Sequence, residues 1–160
     1  SPRNFLAPPL TLFSAMFVHT NLIHLVGNML YLWIFGDNIE DALGHFRFII
    51  FYFLTGVAAS LTHIAVNPDS TIPLIGASGA IAGVLGAYFV LFPRANVKTL
   101  VFIILFVQIV RIPAVVFLGL WFLLQILSSV AGGGIAWYAH IGGFVSGALI
   151  ILVFKRRRHR

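Results

Sequence analysis

Apolar positions in this chain fall in long unbroken runs separated by short polar islands. One run extends from about Leu22 to Phe35, with helix expected to continue past Gly36 to Leu43, where Asp37, Glu40 and Asp41 gather. A second spans Phe46 to about Val66 and ends in the polar turn Asn67-Pro68-Asp69-Ser70-Thr71-Ile72-Pro73. A third spans Gly76 to Phe92 and is closed by Pro93-Arg94. A fourth runs from about Pro113 to Ser128, and Ala131-Gly132-Gly133-Gly134 forms a flexible link. A fifth, Ala136 to Phe154, precedes the basic run Lys155 to Arg160. Runs of this length and apolarity predict five membrane-spanning helices.

The stretch from Val97 to Val110 does not fit this series. Its 14 residues reach only about 21 Å at helical rise, short of the roughly 30 Å hydrocarbon core. Arg111 and Pro113 separate it from the fourth run. It is expected to lie at the interface, partly submerged, without crossing. Arg47, Arg94, Lys98, Arg111 and the basic tail then share the cytosolic side and Arg3 alone lies outside, as the positive-inside rule asks. The third run raises a related point. A helix over residues 78–92 is about 22 Å long, so if Pro93-Arg94 anchors its cytosolic end, Ser78 sits below the outer boundary. The extended segment Thr71 to Ala77 can descend to it only where protein or a wet cavity surrounds the backbone.

Composition narrows the class further. Of 160 residues, 60% are hydrophobic and 9% charged, against about 25% charged in a typical soluble domain. The expected fold is therefore an all-α polytopic membrane bundle in a single domain, 1–160. Residues 1–21 form an outer loop, 22–154 the bundle and 155–160 a cytosolic tail. The opening Ser1-Pro2-Arg3-Asn4-Phe5, followed by Pro8-Pro9, lacks a secretory apolar region and reads as loop or interfacial segment. There is no cysteine, which excludes disulfides and thiolate chemistry. The net charge of +6 is concentrated in the tail. On a membrane bundle that pattern reads as a topology signal facing lipid and cytosol, and no nucleic-acid partner is expected.

Several polar groups lie inside this apolar sequence. Ser78 is held in Gly76-Ala77-Ser78-Gly79. Glycine and serine together serve tight helix packing in lipid, but they also resemble part of a nucleophile turn. Gly76, Gly79, Gly83 and Gly86 share one helical face, and Gly143 and Gly147 form a small-xxx-small pair in the fifth run. Packing these two faces together would bring Ser78 to His140. A histidine one turn into a membrane helix needs a partner. It is either a bonded structural residue or the general base that takes a proton from Ser78. No outer carboxylate is placed to complete a triad, so the chemistry expected is a Ser-His dyad. His24 and Asn28, four apart, stack on one face and could donate to an oxyanion. They could equally form a network that ties down the first helix. His19 is expected to brace the loop. His19, His24 and His140 could in principle hold zinc, but no HExxH and no convergent carboxylate supports this, so neither metal nor cofactor is expected. Glu40, Asp41 and Arg47 read as structural, His45 and His63 as interfacial. Trp33 and Trp121 read as belt or packing aromatics, and Trp137 and Tyr138 as the rings near His140.

Taken together, these motifs resemble the rhomboid intramembrane serine proteases over nearly the whole chain. The segment His19 to Asn28 carries the family's His, His and Asn at its spacing. Gly36 to Gly44 looks like its Glu-x-x-x-Gly turn, Gly76 to Gly79 like its nucleophile motif and Ala139-His140-Ile141-Gly142-Gly143 like its base motif. The resemblance implies Ser78 as nucleophile and His140 as base. It implies oxyanion stabilisation by His24 and Asn28, with His19, Gly76 and Gly79 in support. The substrates implied are transmembrane or membrane-proximal segments of other proteins, cleaved at a site opening to the outer face of the cell membrane. The five runs match the second to sixth helices of a six-helix core, whose first helix is either missing or lies before the start of this chain. The Trp-Arg pair of many members' first loop is absent, and Ala82 stands where some place a tyrosine against the base. An inactive rhomboid-like binding or dislocation factor is the alternative implied.

The topology is open to a direct check, since the native chain has no cysteine. Single cysteines at positions 69 and 133 should react with an impermeant maleimide in intact cells, and those at 96 and 158 only after the membrane is opened. Labelling of position 158 from outside would mean that the segment from Val97 crosses.

Overall fold

The structure is a computed structural model that describes residues 9–103, 106–131 and 135–155. The expectations for residues 1–8, for the Gly132-Gly133-Gly134 link and for the tail beyond Lys155 lie outside the described residues. The chain opens with a short helix α1 (Pro9–Ser14) and one 3-10 turn (Ala15–Phe17). Next come α2 (Leu22–Tyr31), a π-helical turn (Leu32–Gly36) and α3 (Asp37–Leu43), which run on as one helical path. The long helix α4 (His45–Val66) follows a reversal at Gly44. Gly44 has φ +83, a conformation that favours glycine, and its N–H donates to the Glu40 carbonyl. Helix α5 (Ser78–Leu91), strands β1 (Asn96–Ile103) and β2 (Phe106–Pro113), and helices α6 (Ala114–Ala131) and α7 (Trp137–Lys155) complete the chain.

Helix α5 is the centre of the bundle. Every residue from Ala80 to Tyr88 on it is buried, as expected of a helix apolar on all sides. Helices α4 and α7 flank it, and the α2–α3 path and α6 also touch it. The outer helices instead expose large apolar side chains, among them Ile23, Trp33, Ile49, Leu54, Leu124 and Leu149. In water this would be an aggregating surface; against lipid tails it is the ordinary exterior of a membrane bundle. Among the described residues, three helices are long and apolar enough to cross a membrane: His45–Val66, Ala114–Ala131 and residues 137–154 of α7. Helix α5 is apolar but shorter.

Glycine sets the interhelical distance. A Cβ added to Gly143 would strike the Gly79 carbonyl, one on Gly147 the Gly83 carbonyl, and one on Gly86 the Phe144 carbonyl. Backbone therefore meets backbone along the α5–α7 contact, the geometry small residues permit in lipid. On the opposite side of α5, Gly83 faces Thr55 of α4, whose hydroxyl donates to the Tyr52 and Ala80 carbonyls at 3.0 and 3.4 Å. Helix α6 is attached by aromatic stacking of Phe122 and Trp121 on Phe144, at 4.5 and 6.0 Å between ring centroids.

The bundle itself is all-α, as expected, but the connection between α5 and α6 differs from expectation: the segment Val97 to Val110 forms an antiparallel β-hairpin in which Asn96 pairs with Pro113 and Ile103 with Phe106. The segment is rich in β-branched residues, which favour a pleated ladder over helix. Its base is closed by Ala114 N–H donating to Ala95 C=O at 2.7 Å and Val115 N–H to Pro93 C=O at 3.0 Å. The hairpin therefore leaves and rejoins the bundle at one place, joining the end of α5 to the start of α6.

Replacing Gly147 by alanine should lower the midpoint of heat or SDS unfolding, because an added methyl against backbone forces α7 away at a cost of about 1–3 kcal/mol. Gly27→Ala, where no atom lies within 4 Å, should leave the midpoint unchanged or raise it. Equal behaviour of the two variants would contradict glycine-set packing.

Candidate active site

Ser78 is the first residue of α5. The chain reaches it through Gly76, which has φ +106, so a side chain there would be strained. A Cβ on Gly76 would also lie 2.8 Å from His24 Cε1 and 3.1 Å from His24 Nε2. The Gly76 N–H donates to the Ala15 carbonyl at 2.8 Å, tying the segment before Ser78 to the turn after α1. Because α5 starts at Ser78, the first N–H groups of the helix have no intrahelical acceptor.

His140 lies in the first turn of α7. The Gly79–Gly143 approach sits one residue beyond Ser78 and three beyond His140, so it holds these two ends together. His140 Nε2 is 2.9 Å from Ser78 Oγ. The other ring nitrogen, Nδ1, is 2.8 Å from Gln125 Oε1 on α6. Gln125 is buried, and its amide Nε2 donates to the Trp121 carbonyl at 3.3 Å. Gln125 did not figure among the sequence candidates. Its signal was a lone amide between Leu124 and Ile126 in an otherwise apolar helix, where an unpartnered polar group is costly.

On the far side of Gly76 lie His24 and Asn28, both from α2. Asn21 caps this helix, its Oδ1 accepting the His24 N–H at 2.8 Å. Thr20 Oγ1 is 3.1 Å from His24 Nδ1. The same oxygen accepts from Asn21 Nδ2 at 3.4 Å. The Cε1 and Nε2 edge of the His24 ring lies on the Gly76 side. Asn28 is buried, and its Nδ2 has no hydrogen-bond partner among the described residues. Buried amide donors are rarely left this way. His19 lies edge-on to His24 at 5.2 Å between ring centroids, consistent with bracing. Gly79 faces Ala59 of α4 with no room for a side chain. A cavity of about 490 Å³ connects these groups, lined by His24, Asn28, Gly76, Ser78, Trp137 and His140 among others. Among the described residues no three His, Asp or Glu side chains gather as a metal site would require.

The surroundings of His140 differ from expectation in their aromatics. Trp137 lies edge-on to it at 6.0 Å, as foreseen, but the second ring is Trp121 at 6.2 Å. Tyr138 turns the other way, toward His63. The reason is helical phase: residue 138 is two positions from 140 and points to a different face, whereas Trp121 arrives from α6 with Gln125. The His63 side chain is packed within the protein. It is 3% exposed, and its Nε2 lies 3.2 Å from the Ser70 hydroxyl, which also accepts the Ile72 N–H. That pair pins the turn after α4. Glu40 bonds His45 across the α3–α4 reversal, far along the chain from the cavity groups.

Comparison with known proteins fits this geometry. The rhomboid domain model matches residues 8–157. The chain belongs to the rhomboid family. It is 30% identical to "Rhomboid protein 1, mitochondrial" of Saccharomyces cerevisiae over 158 residues, covering 92% of this chain and 42% of that protein. It is 40% identical over 70 residues to "Rhomboid-like protein 11, chloroplastic" of Arabidopsis thaliana, which is 44% of this chain and 25% of that protein. It is 37% identical over 76 residues to "Rhomboid protease GluP" of Bacillus subtilis, or 48% of this chain and 14% of that protein. The chain thus spans less than half the length of these relatives.

Proposed function

We propose that this rhomboid is an intramembrane serine endopeptidase that cleaves transmembrane or membrane-proximal segments of other proteins with Ser78 and His140. The observation that carries the reading is the 2.9 Å approach of His140 Nε2 to Ser78 Oγ across two apolar helices. The unpartnered Asn28 amide close by and the family membership support it. Ser78 Oγ attacks the scissile carbonyl carbon while its proton passes to His140 Nε2. The carbonyl oxygen becomes an oxyanion and takes hydrogen bonds from Asn28 Nδ2, His24 Nε2–H and the Ser78 backbone N–H. The start of α5 favours negative charge at the same place. As the C–N bond breaks, the amine leaves with the proton from His140, and an acyl group remains on Ser78. His140 then removes a proton from water, whose oxygen attacks the ester carbon; as the C–Oγ bond breaks His140 returns that proton to Ser78 Oγ, the acid leaves and the serine is restored.

In this reading the domain occupies the whole chain as a bundle between residues 22 and 154. Its five spans are Leu22–Leu43, α4, α5, α6 and α7, corresponding to the second to sixth helices of the family core. Gly76, Gly79 and His19 hold the site's shape. The cavity opens to the outer face of the cell membrane, and the hairpin base with Arg94, Lys98 and Arg111 lies with the basic tail on the cytosolic side.

Ser78→Ala should abolish cleavage of a transmembrane substrate in liposomes while leaving the unfolding midpoint in place, since removing the nucleophile removes the covalent path. A variant that cleaves at the parental rate would rule out this mechanism. Asn28→Ala should lower kcat by about 10- to 1,000-fold, the effect of one lost oxyanion donor, with KM changed less. A raised KM at constant kcat would assign Asn28 to substrate docking.

A further inference from the structure

What orients the imidazole is a question here, because Ala82 has no ring to stack on it and the hydrogen bonds described for His140, to Gln125 and Ser78, involve no carboxylate. From the hydrogen-bond order along α6 and α7, we infer that Gln125 is the positioning residue that sets the His140 tautomer. This rests on the proposed role of Ser78 and His140 and adds a third member to it.

The argument follows hydrogen-bond polarity from a group that has no choice. The Trp121 carbonyl can only accept. The Gln125 Nε2 therefore donates to it, as its 3.3 Å separation indicates. With the amide nitrogen committed, the carbonyl Oε1 is the atom turned toward His140, 2.8 Å from Nδ1. An amide oxygen accepts but cannot donate, so Nδ1 must carry its proton. In the neutral imidazole Nε2 then has the lone pair, and it faces Ser78 Oγ at 2.9 Å. That is the tautomer able to take the serine proton. With the amide reversed, a donor would face Nδ1, Nε2 would hold the proton, and the imidazole could not act as base.

The placement is fixed at both ends. Gln125 is one turn beyond Trp121 on the same face of α6. Trp121 is held against His140 at 6.2 Å and against Phe144, one turn further along α7, at 6.0 Å. The residues that attach α6 to α7 are therefore those that carry the amide to the imidazole. Gln125 occupies the place that an orienting carboxylate takes in a serine triad, with a neutral acceptor that suits an apolar bundle. A carboxylate there would have to be desolvated to do the same task.

The test uses the intact chain in detergent micelles. The ¹⁵N spectrum of labelled protein has six histidines to assign, and the His140 signals are found by their loss in His140→Asn. At neutral pH the resting imidazole should show a protonated Nδ1 and an unprotonated Nε2. Gln125→Met, of similar length but without a strong acceptor, should lose this preference. Its kcat should fall about 10- to 100-fold, a fraction of what a well-placed general base contributes, with KM within about twofold. A protonated Nε2 in the parent overturns the assignment, as does a Gln125→Met variant with parental kcat or with the parental Nδ1–H tautomer preference. The spectrum needs no turnover. It therefore judges the imidazole's positioning even if an active Ser78→Ala variant defeats the hydrolase reading.

Discussion

Helices α5 and α7 approach until backbone touches backbone, and the rest of the site depends on that contact. Gly79 and Gly83 meet Gly143 and Gly147 with no room for a single methyl group on either of the latter. In lipid there is no hydrophobic force to drive two apolar helices together, so close packing must supply the association. The same approach fixes the separation of the helix ends. Ser78 starts α5, His140 lies in the first turn of α7, and their side chains meet at hydrogen-bond distance because the glycines one turn along allow it. Packing and candidate chemistry are one constraint read at two depths of the same helix pair.

Around this contact the polar groups form two hydrogen-bonded chains. On one side Trp121 C=O, Gln125 and His140 lead to the Ser78 hydroxyl. On the other, Asn21 and Thr20 lead to His24, next to an Asn28 amide that has no partner among the described residues. Gly76 stands between the two and must lack a side chain, because His24 occupies the space. Buried polar groups are expensive unless satisfied. Among the described residues the Asn28 Nδ2 and the nearby His19 Nε2 are left without partners, and Asn28 shares its cavity with Ser78, so an acceptor entering there would find a donor waiting.

Much of this was legible in the sequence because it depends on local spacing. Apolar run lengths located α4, α5, α6 and α7 within a few residues, and the Gly-x-x-x-Gly pairs foretold which faces meet. Ser78, His140, His24 and Asn28 stood out as polar groups in apolar runs. The misread features depend on tertiary placement. The hairpin of residues 96–113 looked only like an apolar stretch too short to span, since length alone does not separate strand from interfacial helix. Its β-branched content was the better guide. Tyr138 was preferred to Trp121 because it is near His140 in sequence, whereas neighbours across helices are set by phase and crossing. Gln125 was overlooked for the same reason: a single amide in an apolar helix signals a partner without naming it. For His63, near a span end, the sequence did not show that the turn carrying Ser70 folds back over it.

The central claim is that Ser78 is a nucleophile activated by His140. The most direct measurement is reaction of the solubilised protein with a fluorophosphonate, read by intact mass and peptide mapping, because it reports the serine without requiring a known substrate. The account predicts one covalent adduct, on Ser78, that is lost when His140 is replaced by alanine. An adduct on another serine with Ser78 unmodified, or an equal yield on Ser78 without the imidazole, would contradict it.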